Sequence, residues 1–159
     1  VLPLRNGTEG TKQTLNIMRQ LVRRGKKNPP VRELALSIVR PLPNKAFPAE
    51  VAAIHQWVKN NIRYTRDIQG VETVQTPEKT IEYGQGDCDD HSILTAALLE
   101  SISHPTRLVA VGKRPGQYSH VFTETKIGPR WVSVETTEPV GLGWLPRGYC
   151  YRMMVNNWR

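Results

Sequence analysis

Chemistry in this chain would gather at Cys88. The residue stands in Gly86-Asp87-Cys88-Asp89-Asp90-His91, after a Gly84-Gln85-Gly86 turn and before an apolar, helix-forming run from Ser92 to Ile102. That setting puts the thiol at or next to a helix N-terminus, where unpaired N–H groups and the positive end of the helix dipole favour thiolate over thiol. A free cysteine is more commonly a small packing residue, but packing cysteines are not normally ringed by three aspartates and a histidine. The pattern points to a nucleophile. A nucleophile needs a base, and the base needs a group that orients it. His120 opens the second of three strand-like stretches and Glu135 ends the third. A short turn at Lys126-Ile127-Gly128-Pro129 would make these two strands antiparallel and bring His120 and Glu135 close to opposite each other. The chain has four histidines and many acids, so this pairing alone is one of many, and a polar strand-end residue is the plain alternative for His120.

The elements that must position these residues follow from periodicity. Residues 1–10 hold Pro3, Gly7 and Gly10 and read as an extended arm. Leu15, Met18, Leu21 and Val22 recur at helical spacing between Thr11 and about Arg24, with a basic far face. A second helix carries Val31, Leu34, Ala35, Ile38 and Val39 and is stopped by Pro41 and Pro43. A third runs from about Pro48 to Ile62 with Val51, Ile54, Val58 and Ile62 as its buried stripe. His55 lies off that stripe and reads as a surface or boundary histidine. A polar loop from Ile68 to Gln75 leads to a short helix capped by Thr76 with Pro77 at its first position. After the cysteine helix come strand-like stretches at Thr106–Val111, Ser119–Thr125 and Arg130–Thr136, and a last one at Tyr149–Val155 in an aromatic-rich tail. Helices first and an antiparallel sheet after make an α+β protein.

Composition narrows the classes. At 159 residues one domain with a real core is expected. Hydrophobic content of 38% and charged content of 23% are those of an ordinary globular chain, and no apolar stretch is long enough to span a bilayer. No signal-peptide pattern is present, but the chain begins at Val1, which leaves a removed N-terminal signal open. Two cysteines make neither a disulfide framework nor a closed zinc site, and they suit a cytoplasmic or virion-interior location. The net charge is +8, with basic clusters at Arg19, Arg23, Arg24, Lys26 and Lys27, at Arg107, Lys113 and Arg114, and at Arg147, Arg152 and Arg159. Such a surface suits an acidic partner, nucleic acid included, though no nucleic-acid motif accompanies it; a solvated face is the plain alternative.

Together these stretches carry a family resemblance. Gly86-Asp87-Cys88-Asp89-Asp90, a helix with Leu98-Leu99 and then His104-Pro105-Thr106-Arg107-Leu108-Val109 resemble the nucleophile block of the transglutaminase-like superfamily. Ser119-His120-Val121-Phe122 resembles its histidine block, and Arg130-Trp131-Val132-Ser133-Val134-Glu135-Thr136-Thr137 its acidic block. Ala53 to Tyr64 resembles the helix that precedes them. The resemblance covers about residues 48–137. It implies a papain-like α+β core, with the nucleophile helix packed on a small antiparallel sheet. Cys88 is then the nucleophile, His120 the general base and Glu135 the orienter. The third position usually holds Asp, so Glu135 is a departure with a longer arm. Ser103 is another, standing where a glycine is common.

The resemblance implies acyl transfer through a thioester, with the Cys88 backbone N–H and either Gln85 or Tyr64 donating to the oxyanion. The Gly-Asp-Cys-acid-Asp pattern is most similar to bacterial transglutaminase-like cysteine peptidases, domains that also occur in phage proteins, so hydrolysis of a peptide or isopeptide bond is the leading expectation. A phage or bacterial assembly protein with an idle site and an amine-transferring crosslinker are the alternatives. No cofactor is required. Asp87, Asp89 and Asp90 are candidate calcium ligands by the same resemblance, with helix capping as the competing use. Residues 1–47 read as a basic N-terminal helical hairpin that packs on the catalytic core of 48–159 and docks a protein substrate or an acidic partner.

Overall fold

The computed structural model describes residues 7–66 and 74–158. In chain order the elements are α1 (Gly7–Gly25), α2 (Pro29–Val39), α3 (Phe47–Asn61), β1 (Arg63–Tyr64), α4 (Pro77–Tyr83), β2 (Gln85–Gly86), α5 (Cys88–Ser101), β3 (Thr106–Gly112), β4 (His120–Ile127), β5 (Arg130–Val134) and β6 (Tyr151–Asn156). The four longer strands form one antiparallel sheet in the order β5-β4-β3-β6, so the α+β reading holds. The β4–β5 turn is the tight one expected: Ile127 pairs with Arg130, and Gly128 between them takes a positive φ of 60°.

Helix α5 lies at the centre. Ile93, Leu94, Ala96, Ala97, Leu98 and Leu99 are all buried, so the helix is apolar on every side, as an interior helix must be. One side packs with Val31 and Ala35 of α2 and with Val51, Ile54 and Val58 of α3. The other packs with Leu15, Met18 and Val22 of α1 and with Leu108, Ala110 and Val121 of the sheet. The expected 1–47 hairpin thus shares its interior with the residues that follow it. Thr123 Oγ1 donates to the Ser92 carbonyl (2.8 Å), which fixes α5 across β4.

The local expectations fare differently. Gly7 to Gly10, expected as part of an extended arm, form the first turn of α1, held by Thr11 and Thr14 hydroxyls that donate to the carbonyls of Gly7 and Gly10; residues 1–6 of that arm lie outside the described residues. Gly10 is buried, and that tertiary contact carries the helix through two glycines that propensity alone would exclude. The strands β1 and β2, a two-residue parallel pair, left no periodic signal. Most of the Ile68–Gln75 loop lies outside the described residues. The third stretch stops pairing at Val134, so Glu135 stands just beyond the ladder.

Candidate active site

Each residue of the Gly86–Asp90 run has its own structural task. Asp87 caps α5 from an extended conformation, and its Oδ1 accepts from the Asp90 N–H (3.1 Å). Asp90 Oδ2 accepts in return from the Asp87 N–H (3.1 Å), completing a capping box. Its Oδ1 accepts from the Gln75 N–H (2.8 Å), tying the incoming loop to the helix start. Burial pushes the Asp90 carboxyl up to about 7, against these amides. Gly86 is a glycine because a Cβ there would sit 2.5 Å from the Asp90 Cβ. Cys88 is therefore the first residue of α5, as the sequence indicated.

The cleft in front of Cys88 has a volume of about 890 Å³. His120 lines it with Cys88, and so do Tyr64, Asp87, Asp89 and Val121. Ser92 Oγ sits between the carbonyls of Cys88 (2.7 Å) and Val121 (3.2 Å) and holds the first turn of α5 to the start of β4. Glu135 meets His120 from the far side. Extending the β4–β5 register one step places Glu135 opposite Phe122, diagonal to His120. A diagonal neighbour is about 7–8 Å away at the backbone, within reach of a long side chain. The His120 Nε2–H donates to Glu135 Oε2 at 2.5 Å. Glu135 Oε1 accepts from the Thr137 N–H (2.9 Å) and hydroxyl (2.7 Å). Burial opposes the Glu135 charge, but His120 and Thr137 outweigh it and hold the carboxyl below its ordinary value. With Nε2 on Glu135, Nδ1 is the other nitrogen of a ring that lines the cleft with Cys88.

The cysteine itself differs from expectation. Burial pushes its thiol well above the usual range, and the Asp89 and Asp87 carboxylates push it further, against a hydrogen bond from the Val121 backbone N–H. The thiol donates to Asp89 Oδ1 at 3.7 Å. Burial first, and then the Asp89 and Asp87 carboxylates, oppose the helix-dipole effect that the sequence reading relied on. Cys88, half-buried and free of any disulfide, rests as a thiol; Cys150 is also free and is exposed.

The remaining candidates divide. Tyr64, itself exposed, lines the cleft near Cys88; partial desolvation and then Cys88 raise its hydroxyl, a phenol that is protonated at neutral pH in any case and can donate. Gln85 is exposed on β2 and is not among the residues lining the cleft. Of the three aspartates offered as calcium ligands, Asp87 and Asp90 are occupied by the capping box. Among the described residues no group of three or more His, Cys, Asp or Glu side chains is placed to hold a metal.

Two contributors escaped the sequence reading. One wall of the cleft is built by α1, from Gly7, Gly10, Thr11, Thr14, Leu15 and Met18. The other is His55, which is buried and contacts the Glu135 backbone. The signal for His55 was present: it stands four residues after Val51 and three before Val58, inside the apolar stripe.

Comparison with known proteins agrees with this fold. A family model of the transglutaminase-like superfamily matches residues 32–136. Among solved structures, a protein from Cytophaga hutchinsonii provisionally designated a cysteine protease superposes with a TM-score of 0.56 at 21% identity, covering 79% of this chain and 45% of its own. A provisionally designated protease from Parabacteroides distasonis gives a TM-score of 0.63 at 14% identity, over 89% of this chain and 29% of its own. LapG of Legionella pneumophila gives 0.53 at 15% identity, over 86% of this chain and 76% of its own. At these identities the likeness is one of fold, and the chain spans less than half the length of the first two. No curated protein matches the chain in sequence. Among the described residues no helix is long and apolar enough to cross a membrane.

Proposed function

The chain belongs to the transglutaminase-like superfamily, and from that premise we propose that it is a cysteine-dependent hydrolase of peptide or isopeptide bonds, with Cys88, His120 and Glu135 as its triad. The observation that carries this reading is that His120 lines the same cleft as the helix-terminal Cys88 and is held from behind by buried Glu135 at 2.5 Å.

The resting thiol sets the order of events. The Cys88 S–H turns from Asp89 to His120 Nδ1, which takes the proton as sulfur attacks the amide carbonyl. A C–S bond forms, and the carbonyl oxygen becomes an oxyanion. The Cys88 backbone N–H, at a helix position that has no intrahelical acceptor, donates to it. The Tyr64 hydroxyl is the second donor. The imidazolium returns its proton to the leaving amine as the C–N bond breaks. Water, deprotonated by the same ring, then hydrolyses the thioester and restores the thiol. Glu135 stays ionised throughout and offsets the imidazolium charge.

A screen of fluorogenic peptide and isopeptide probes on wild type and Cys88→Ala tests the reading. Cys88→Ala and His120→Ala should each lower turnover by roughly a thousandfold or more, the scale of loss when one member of a nucleophile–base unit is removed. Hydrolysis that survives Cys88→Ala would overturn the assignment. Incorporation of a fluorescent amine into casein without hydrolysis would move the protein to the crosslinking class.

A further inference from the structure

The sheet alone does not fix Glu135. The β5 ladder ends at the Thr123–Val134 pair, so the backbone of Glu135 lies one residue beyond it. Glutamate has one more torsion than the aspartate usual at this position, and each torsion left free spreads the carboxylate over more positions. Something outside the sheet must hold it.

Helix α3 does so. His55 Nε2 lies 2.6 Å from the Glu135 backbone oxygen. A carbonyl oxygen only accepts, so Nε2 carries the proton and donates. One turn along the same face, Lys59 Nζ donates to the Val140 carbonyl (2.9 Å). The chain leaving β5 is thus gripped at 135 and again at 140 by residues four apart on α3. Within that span the Thr137 amide and hydroxyl hold Oε1 and leave Oε2 to His120.

His55 is 5% exposed among Val51, Ile54 and Val58, a setting in which leucine would pack without a polar group to satisfy. Burial keeps the imidazole below its ordinary value, hence neutral, with one proton on Nε2 for the Glu135 carbonyl. The cost of burying a ring nitrogen is met by this contact.

We propose that His55 is a positioning residue: its Nε2–H, with Lys59 one turn on, fixes the Glu135 backbone so that the carboxylate meets His120. The proposal rests on the Cys88–His120–Glu135 reading for its purpose, but its test needs no substrate.

The readout is the downfield proton resonance of the His120 ring N–H held by Glu135, assigned by its absence in His120→Ala. Wild type should show it. His55→Leu should lose it while still unfolding cooperatively, and His55→Gln, whose amide nitrogen reaches to where Nε2 stands, should restore it. A folded His55→Leu that keeps the resonance overturns the proposal. If His55→Leu does not fold, His55→Gln and His55→Asn decide, because asparagine is one methylene short. A resonance present in Gln and lost in Asn supports positioning, and equal behaviour overturns it. Absence of peptide hydrolysis in the wild type would count against the hydrolase and leave this result unchanged.

Discussion

At Cys88 the helix terminus competes with desolvation and two neighbouring carboxylates, and these outweigh it. A helix N-terminus favours the thiolate by a few tenths to about one kcal/mol at an exposed site, but this sulfur is buried with two carboxylates beside it, and both effects favour the thiol. Alkylation by iodoacetamide should therefore rise on the alkaline side instead of levelling well below pH 8, the behaviour expected from the helix terminus alone. The sign with respect to Asp89 is fixed: removing an anion beside a group that becomes an anion lowers that group's pKa. Asp89→Asn should move the alkylation profile toward neutral and raise the rate at pH 7 by about fivefold. An unchanged profile would mean that Asp89 does not act on the sulfur. The sequence singled out Cys88, His120 and Glu135 as candidates because residue type and order carry them. It hid the protonation state, because that depends on burial and on where neighbouring carboxylates end up in space. His55 was legible in part: its spacing from Val51 and Val58 puts it inside the apolar stripe, but its contact with the Glu135 backbone is set by the tertiary fold.

Among the elements, those closed by local chemistry were legible and those closed by tertiary contact were not. Helix α4 starts at Thr76, whose hydroxyl accepts from the Lys79 N–H, and ends at Gly84 with φ 65°, both readable as cap residues. Helix α1 extends back to Gly7 because its first turn packs in the molecule, and the β1–β2 pair is too short to show a period. The end of α5 combines the two cases. Ser103, where family members commonly have glycine, adopts φ 72°, and the next amide, His104 N–H, donates to the Leu99 carbonyl (3.0 Å). That closure needs the left-handed conformation, which costs an L-residue roughly 1–2 kcal/mol. Ser103→Gly should therefore raise stability by about 0.5–1 kcal/mol, less than the full strain because glycine also loosens the unfolded chain. Chemical denaturation measures it, and a destabilised Ser103→Gly would show that the serine makes a compensating contact.

For the molecule as a whole, the open question is whether α1 is an appendage or part of the interior. The family model begins at residue 32, and the basic residues of α1 gave it the look of a separable docking arm. Its packing argues otherwise. Leu15, Met18 and Val22 are fully or almost fully buried in one cluster with Ile93, Ala96 and Leu108. Lys26 faces Glu100 of α5 at 3.7 Å, so part of the positive charge is answered within the chain. Gly25 is closed in: a Cβ there would meet Pro77 Cγ at 2.5 Å and Ala97 Cβ at 3.2 Å. Removing α1 would uncover one side of the only element that carries Cys88, and would open the cleft wall facing it. Leu15→Ala and Met18→Ala should each cost about 2–5 kcal/mol, the range for emptying a core site, and deletion of residues 1–26 should abolish cooperative unfolding. Arg24 and Lys27 are exposed, and Arg24→Glu with Lys27→Glu should leave the melting temperature within a few degrees, as surface changes generally do. Those two charges remain available to an acidic partner, and contact made through them should weaken as salt is raised. Denaturation of the four variants separates the cases. If the truncated chain unfolds cooperatively at wild-type stability, α1 is an appendage, and its role narrows to docking; if the two core variants fall and the charge-reversal variant does not, the helix belongs to the fold that aims the cysteine.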